Sequence, residues 1–455
     1  MCNGTPIAPN GLRRGARYDS IFYGAFSGAG NTFDIRVRFD LKKPLQLDKF
    51  QAAANKALQC YPEFSVRPVI KDGRVYYEEN LKRVKLAPDD GRSLCFGTDG
   101  EDGTNGYLFV FLYGEKHVTF SLFHGITDAR GMIAYVISVL WNYVCSVAPL
   151  VRIAGTKMFT KHGIRISPAP YFEMDEIERN DPLTAFAGPG EPINLIDNDK
   201  LFRMPPEQYA QEDLSCRMLN LEISNKAFEK KTKELGTSFG PLLSAITAKA
   251  IARAYDIGDK TISVVLTADP RRQFGTFSFG NMAYNVPLPV TAADLEQPLG
   301  ALCSRLRSDM KKQLTKENAA ANYSFILGQC DEIDAMGDIV AVNKALTAPG
   351  GIETLTTNGT IFLTYPGRVA SNPISRTLLA GVSPGMLAVE RAVVVYAHRD
   401  SLIVQVTQKS DDMTLVNALK DVLADMGFAP AFHDMGRVAQ NVLELDRLKT
   451  ANEKF

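Results

Sequence analysis

SLFHGITDARG, from Ser121 to Gly131, is the stretch of sequence on which the predicted fold rests. It joins an alternating strand pattern, His117 to Phe123, to an uncharged segment that runs from Gly131 to Val151. Side chains alternate between the two faces of a strand, so His124 shares a face with three apolar residues, Val118, Phe120 and Leu122. We therefore predict that His124 ends a strand on its apolar side and points inward at the edge of a core.

The uncharged segment from Gly131 to Val151 is long enough to cross a membrane. It also carries three polar residues and a late proline: Ser138, Asn142, Ser146 and Pro149. A helix that is apolar on all sides is equally typical of the centre of a large domain. We interpret the segment as a buried core helix and expect no membrane span.

The composition is that of a folded globular protein. Of 455 residues, 45% are hydrophobic and 22% are charged, and the length suggests two to three domains. With 51 basic and 51 acidic residues, the chain has no overall charge that would attract nucleic acid. Seven scattered cysteines contain no C-x-x-C pair, which fits a reducing compartment and suggests no zinc site. The first residues contain no apolar core of a signal peptide, so we expect a cytoplasmic protein.

Hydrophobic periodicity predicts an α/β chain in two halves, with both strands and helices in each. We place an N-terminal lobe at residues 1–190 and a C-terminal lobe at 191–455. A Pro- and Gly-rich crossover runs from about 152 to 215. The predicted strands cover 33–41, 64–70, 74–78, 107–113, 117–123, 217–223, 261–268, 359–365, 393–397 and 402–407. The predicted helices cover 47–60, 225–235, 241–255, 294–316 and 412–426.

His124 and Asp128 form an H-x-x-x-D motif at the end of the strand. A rigidly held imidazole has a pKa near neutrality, which suits a general base; the alternative is a core histidine with a backbone partner. Asp128 begins the apolar helix, either as its N-cap or as a buried carboxylate that fixes the turn. The spacing argues against direct contact between the two side chains unless the turn is tight.

A second group of candidate residues follows the strand 261–268. It comprises Asp269-Pro270-Arg271-Arg272 and, seven residues later, Phe279-Gly280-Asn281. One interpretation is a strand-end turn with solvated arginines. The other is that one arginine pairs with a buried carboxylate, while Gly280 allows the backbone to approach a substrate channel closely.

Other catalytic motifs are absent or out of context. The segment from Gly236 to Gly240 matches G-x-S-x-G, but a charged helical pattern precedes it where a nucleophile elbow needs a strand. The sequence contains no phosphate-binding P-loop, no G-x-G-x-x-G after a strand and no H-E-x-x-H. We therefore expect neither a serine nucleophile nor a metal.

Taken in order, these segments resemble the chloramphenicol-acetyltransferase-like acyltransferases, whose members include alcohol O-acetyltransferases, plant BAHD enzymes and peptide-synthetase condensation domains. The helix and "YPEFSVR" of residues 47–67 are similar to the opening of alcohol acetyltransferase-like proteins. SLFHGITDARG is similar to their H-x-x-x-D-G signature. Three later segments also resemble the family. Residues 236–254 are similar to its helix after the crossover, residues 268–281 to its "VDxR…YFGN" motif, and residues 363–369 to its "SNLGR" strand.

The resemblance implies two similar lobes with mixed sheets and a tunnel between them. In that arrangement His124 deprotonates an acceptor that attacks an acyl thioester directly, without a covalent acyl-enzyme. Asp128 has a structural role and pairs across the lobes with Arg271, or with Arg272 if the register differs by one residue. Substrate or oxyanion contacts are assigned to Ser278, Gly280, Asn281, Thr364 and Tyr365.

The resemblance also implies the partners. The co-substrate is acyl-CoA, with no bound cofactor, and the acceptor is a small alcohol or amine. Because both lobes lie in one chain, we expect a monomer. Phe123 stands where condensation domains carry a first histidine, Ala129 replaces the glycine after the aspartate, and the DFGWG motif of BAHD enzymes is absent. These departures favour the alcohol O-acetyltransferase-like branch; a condensation-type enzyme that uses a carrier-protein thioester and a non-catalytic binding relative remain alternatives.

Overall fold

Two mixed β-sheets organise the chain in the computed structural model, which describes residues 12–28, 32–148, 176–193, 196–209, 215–348, 359–368, 378–387 and 391–452. In the first sheet the strands lie in the order Leu379–Leu387, Asp34–Leu41, His117–Phe123, Phe109–Tyr113 and Leu86–Pro88. Its neighbours are antiparallel except for the last pair, which is parallel. A small third sheet joins Leu12–Arg14, Arg74–Glu79 and Val66–Lys71.

The second sheet has seven strands. Their order is Tyr284–Val290, Ile262–Ala268, Ile361–Arg368, Ala392–His398, Ser401–Gln408, Ser215–Ser224 and Ala431–Ala439. The third strand of this order is parallel to both of its neighbours, and the other pairs are antiparallel. The predicted α/β architecture of two lobes with mixed sheets is confirmed.

Helices cover both sheets. They span Asp19–Ala25, Leu47–Leu58, Ala129–Val147, Glu176–Asn180, Pro182–Phe186, Asn225–Glu234, Phe239–Ala254, Arg271–Phe274, Ala292–Leu295, Leu299–Gln313, Lys316–Ala335, Ile339–Thr347, Thr414–Asp425 and Leu445–Asn452. The single helix predicted for 294–316 is wrong. Pro298 adopts an extended conformation and separates two helices there, since proline has no N–H to donate to a continuous helix.

The hairpin before the H-x-x-x-D turn forms as predicted, although its first strand begins at Phe109 and not at Tyr107. Phe109 and Phe111 pack in one hydrophobic core, and Val110 and Leu112 pack in another on the opposite face. Burial on both faces explains why this strand is continuously apolar.

The uncharged segment is the helix Ala129–Val147, which packs against Leu47–Leu58. Within the described residues, it is the helix that is long and apolar enough to cross a membrane, and 61% of its apolar window is buried inside the protein. Its buried side chains include Tyr135, Val139 and Trp141. Ala148 is the C-cap of this helix, and residues 149–151 of the predicted segment lie outside the described residues.

The two lobes exchange parts of the chain. Strand Leu379–Leu387 comes from the predicted second lobe, 191–455, and completes the first sheet beside Asp34–Leu41. After strand Ala431–Ala439 the chain also returns to the first lobe, where Asn441 donates its backbone N–H to buried Asp34 at 3.0 Å. No single domain boundary in the sequence therefore separates the two lobes. Of the predicted crossover, residues 152–175, 194–195 and 210–214 lie outside the described part of the chain.

Sequence periodicity missed several strands that contain proline. Tyr284–Val290 carries Pro287 and Pro289 and forms one edge of the second sheet. Leu379–Leu387 carries Pro384 and forms one edge of the first. An edge strand has a side without ladder hydrogen bonds, so a residue without an N–H is tolerated there.

Candidate active site

The H-x-x-x-D turn connects the first sheet to its core helix. His124–Ile126 is a single 3-10 turn, and Thr127 and Asp128 are extended before the helix begins at Ala129. The His124 backbone N–H donates to the Phe33 carbonyl at 2.9 Å. The strand, the turn and the helix therefore fix the position of His124 through the backbone.

The imidazole of His124 lies among aromatic rings and one amide. Its ring centroid is 4.6 Å from that of Phe33 and 5.4 Å from that of Phe22, which is stacked at 28°. Asn281 Nδ2 lies 3.3 Å from His124 Nδ1 and 3.1 Å from the His124 carbonyl oxygen. Two aromatic rings and an asparagine from the other lobe thus restrict the rotation of the imidazole.

Burial lowers the pKa of His124 below its ordinary 6.5. Hydrogen bonds with the backbone of His124 itself and of Thr127, together with the charge of Asp128, act in the opposite direction without overcoming burial. The imidazole is therefore neutral at physiological pH, which is the form that can accept a proton.

Asp128 is buried, with 4% of its surface exposed, and both of its oxygens are fully engaged. Oδ1 accepts the backbone N–H groups of Arg130 and Gly131 at 2.9 and 3.1 Å, which caps the core helix. Oδ2 accepts from Arg271 Nη2 at 2.8 Å and from the Met282 N–H at 2.9 Å. Burial alone raises the pKa of Asp128, but the Arg271 charge and these hydrogen bonds outweigh it and lower the pKa overall. Both expected roles, N-cap and buried ion-pair partner, are present in one side chain.

Arg271 links Asp128 to the loop that carries Asn281. Its Nε donates to the Ser278 carbonyl and its Nη2 to the Gly280 carbonyl, each at 2.7 Å. Its Nη1 donates to Asp269 Oδ1 at 2.9 Å. The guanidinium donates to only one oxygen of Asp128, Oδ2, because Oδ1 caps the helix. Arg272, the alternative partner, is exposed.

The loop 276–281 packs tightly against the start of the core helix. Thr127 Oγ1 donates to the Phe279 carbonyl at 2.5 Å. A Cβ on Gly131 would meet Thr127 Oγ1 and would lie 2.6 Å from the Phe279 carbonyl oxygen. Only glycine at position 131 allows the two lobes to approach so closely at this point.

A cavity of about 530 Å³, counting the part open to solvent, adjoins the H-x-x-x-D turn. Gly125 and Ile126 line it from the first lobe, and Gly280 and Asn281 line it from the second. From the crossover, Asn180, Asp181, Pro182 and Leu183 also line it. A molecule in this cavity would therefore touch both lobes beside His124.

The other predicted site residues, Ser278, Thr364 and Tyr365, lie in different parts of the second lobe. Ser278 is 1% exposed, and its Oγ accepts the Gly280 N–H at 3.2 Å, so it supports the loop from behind. Thr364 is hydrogen-bonded to Thr267 on the neighbouring strand at 3.1 Å. Tyr365 stacks on Phe239 with ring centroids 5.2 Å apart, against the core of the second lobe. The structure brings together His124, Asp128, Arg271, Gly280 and Asn281.

Sequence reasoning missed the aromatic surroundings of His124. Phe22 belongs to the helix Asp19–Ala25, which was not predicted, although the segment DSIFYGAF has apolar residues at helical spacing. Thr127 and Gly131 lie inside the recognised motif, and their role is visible only once Phe279 is placed against them. Groups of three or more His, Cys, Asp or Glu side chains placed to hold a metal do not occur in the described ranges.

Comparisons of the sequence find neither a protein-family model nor a curated protein that matches. The fold, however, is shared with solved structures. One is TRI101 of F. sporotrichioides complexed with Coenzyme A and T-2, with a TM-score of 0.56 at 12% identity, covering 92% of this chain and 99% of that one. Another is the trichothecene 15-O-acetyltransferase TRI3 of Fusarium sporotrichioides, with a TM-score of 0.58 at 10% identity, covering 91% and 94%.

A third similar structure is the epimerization domain of tyrocidine synthetase B, with a TM-score of 0.53 at 10% identity, covering 97% of this chain and 98% of that one. Together these structures show a shared fold of two lobes with mixed sheets, the fold that the resemblance implied. At such low identity the fold alone is shared, and the chemistry has to be argued from the site.

Proposed function

We propose that this chain transfers an acyl group from acyl-CoA to the hydroxyl or amine of a small acceptor. The proposal rests on the protonation state and the position of the His124 side chain. It is a partly buried imidazole, kept neutral by burial, and the two residues after it, Gly125 and Ile126, line a cavity formed by both lobes. Asp128 and Arg271 fix the turn that carries His124, and their side chains form an ion pair with each other. The imidazole is therefore the group in this cluster that can accept a proton from an acceptor.

In the proposed mechanism, Nε2 of His124 removes a proton from the acceptor as its oxygen or nitrogen attacks the thioester carbonyl. The tetrahedral intermediate then collapses, the C–S bond breaks and the departing thiolate of CoA takes the proton from the imidazolium. Each proton that His124 accepts is returned, so no covalent enzyme intermediate is required. Hydrogen-bond donors near the carbonyl oxygen would stabilise the intermediate.

The similar structures support the choice of donor. TRI101 was solved with Coenzyme A, and TRI3 is described as an O-acetyltransferase. The epimerization domain with the same fold shows that the fold also serves other chemistry. The site of this chain supports acyl transfer because His124 offers a neutral base that can take a proton from an acceptor.

The test is transfer from acetyl-CoA and longer acyl-CoA to a panel of alcohols and amines, followed by product mass and by release of free CoA. We expect acyl transfer that falls about 10² to 10⁴-fold in His124→Ala, the usual effect of removing a general base. His433→Ala is the matched control, since that histidine is half exposed and pairs with Glu222 at 3.4 Å. Equal turnover in wild type and His124→Ala would refute the mechanism.

The same assay separates the alternatives. Transfer that requires an acyl group loaded on a carrier protein would identify a condensation-type enzyme. Binding of acyl-CoA without product from any acceptor would identify a non-catalytic relative.

A further inference from the structure

We infer that the cavity between the lobes takes an acceptor that carries a positive charge apart from the group that is acylated, as an amino alcohol or a diamine does. The inference rests on the proposed function, because it names the class of acceptor for the same site. It also predicts a preference in binding, which can be measured without any turnover.

Three carboxylates from separate parts of the chain line this cavity. Asp19 begins the helix Asp19–Ala25, Glu63 follows the helix Leu47–Leu58, and Asp181 belongs to the crossover. Asp19 and Glu63 are only 5% and 9% exposed, so water screens their charges poorly. Among the described residues that line the cavity there is no lysine, arginine or histidine. A concave surface with charge of one sign concentrates ligands of the opposite sign, so the cavity attracts cations.

Arg17 is a basic residue in contact with Asp181, but it does not balance this charge. Its backbone N–H donates to Asp181 Oδ2 at 3.3 Å. Its guanidinium donates to the Leu327 carbonyl at 3.3 Å and pairs with Asp331. Arg17 lines a neighbouring cavity, which shares Asp19 with the first. One cation that is already paired with another aspartate leaves the three carboxylates in excess.

Asn281 gives a second, independent indication of the ligand. Its side chain is 7% exposed and lines the cavity. Nδ2 donates to the His124 carbonyl oxygen at 3.1 Å, which fixes the orientation of the amide, because Oδ1 in that place would meet another acceptor. Oδ1 itself accepts no hydrogen bond from the residues that the structure describes. A buried amide oxygen without a donor is costly, so we expect a ligand to donate a hydrogen bond there.

An ammonium group meets both requirements. It carries the opposite charge and consists of donors only, whereas the carboxylates and the Asn281 oxygen are acceptors. A protonated amine has no lone pair for attack on a thioester, so the charged group binds while a separate hydroxyl or neutral amine reacts. The apolar part of the wall, which includes Val66, Ile126 and Leu183, fits the methylene groups between the two.

The charge of the cavity also distinguishes the two substrates. Acyl-CoA carries phosphate groups, which the carboxylates would repel. An acceptor that carries a carboxylate would be repelled in the same way. The cavity is therefore assigned to a cationic acceptor and not to the phosphates of the donor.

The primary experiment compares three acceptors of equal length: aminopentanol, pentanediol and hydroxypentanoate, which end in an ammonium, a hydroxyl and a carboxylate. Binding to the full chain is measured by ligand-observed NMR at neutral pH and low salt. We expect aminopentanol to bind about ten- to a hundredfold more tightly than pentanediol, the usual effect of a hydrogen bond to a charged group. Hydroxypentanoate should bind most weakly, and added salt should reduce the differences.

Two substitutions test the carboxylates. Asp181→Asn removes a charge and keeps the N-cap of the helix Pro182–Phe186, since asparagine caps as well as aspartate. We expect it to weaken the binding of aminopentanol about tenfold and to leave pentanediol unchanged. Glu63→Gln should act in the same way. The matched control is Asp338→Asn, which changes the N-cap of the helix Ile339–Thr347, outside the lining of this cavity, and should affect neither ligand.

Equal binding of aminopentanol and pentanediol, or no detectable binding of aminopentanol, would overturn the inference. An equal loss for both ligands in Asp181→Asn and Glu63→Gln would overturn it as well, because a purely structural effect does not depend on the charge of the ligand. The comparison in the wild type decides even where a variant does not fold.

Turnover with acetyl-CoA separates this inference from the proposed function. The order of the three acceptors in kcat/KM should follow their order in binding. Selective binding of aminopentanol without any product would refute the proposed function and leave the charge preference standing. Acylation of all three acceptors at equal kcat/KM would support the proposed function and refute the charge preference.

Discussion

Arg271 Nη2 lies 2.8 Å from Asp128 Oδ2, and both side chains are almost completely buried. The two residues are 143 positions apart in sequence and come from different lobes. Asp128 begins the core helix of the first lobe, and Arg271 follows the strand Ile262–Ala268 of the second. The ion pair therefore joins the lobes directly behind His124, and it orders the turn and the loop that form the cavity.

Asp128→Ala should lower the free energy of unfolding by about 3–5 kcal/mol, because it strands the buried Arg271 charge and removes a helix cap. Urea unfolding measures the effect. Asp269→Ala is the control: this carboxylate contacts the same guanidinium but its side chain is 43% exposed, and its removal should cost much less. Similar losses in the two variants would contradict the special role of Asp128.

Arg271→Lys should fail to replace arginine despite the conserved charge. The guanidinium serves Asp128, Asp269 and the carbonyls of Ser278 and Gly280 at once, and one ammonium on a flexible chain cannot reproduce that planar geometry. We expect loss of both stability and turnover. Arg272→Lys, at the neighbouring exposed position, should leave both unchanged. Wild-type behaviour of Arg271→Lys would show that charge alone suffices.

Gly131→Ala should destabilise the protein, since the new Cβ would collide with Thr127 and with the Phe279 carbonyl. The same change at Gly328, which is exposed in the helix Lys316–Ala335 with nothing within 4 Å of the added Cβ, should stabilise by about 0.5–1 kcal/mol. Thermal and urea unfolding of the two variants should therefore move in opposite directions. A neutral Gly131→Ala would mean that the interlobe contact is loose.

The pH dependence should reflect the lowered pKa of His124. The unfolded chain binds a proton at this residue more readily, so stability from His124 is complete above pH 6.5 and declines as the pH falls toward the folded pKa. Asp128, whose pKa is lowered from 3.8, makes the free energy of unfolding depend on pH only in more acidic solution. The difference in unfolding free energy between wild type and His124→Ala, measured from pH 8 to pH 5, should show this decline. The acid limb of kcat/KM should likewise lie below pH 6.5.

We expect the active protein to be a monomer, because one chain supplies both walls of the cavity. Light scattering at assay concentration should give the mass of one 50.0 kDa chain. Specific activity should stay constant on dilution. Activity that disappears together with a dissociating oligomer would contradict this prediction.

Elements near the motif could be predicted because they depend on neighbours in sequence. The alternation of His117–Phe123 specifies a strand, Asp128 is a strong N-cap, and the uncharged run after it specifies a buried helix. Two edge strands that contain proline, Tyr284–Val290 and Leu379–Leu387, were not predicted, because local pattern does not distinguish an edge strand from a central one. The place of Leu379–Leu387 in the first sheet also depends on packing between distant segments.

By itself the sequence determined the two-lobed α/β class, His124 at the end of a strand and a small set of arginines as partners for Asp128. The tertiary structure decided that Arg271 turns inward and Arg272 outward, that Phe22 and Phe33 flank the imidazole, and that Asn281 touches it. These contacts join residues up to 157 positions apart, and their geometry follows from how two cores pack against each other. Local periodicity and capping carry no information about that packing, because they depend on the spacing of residues within one element.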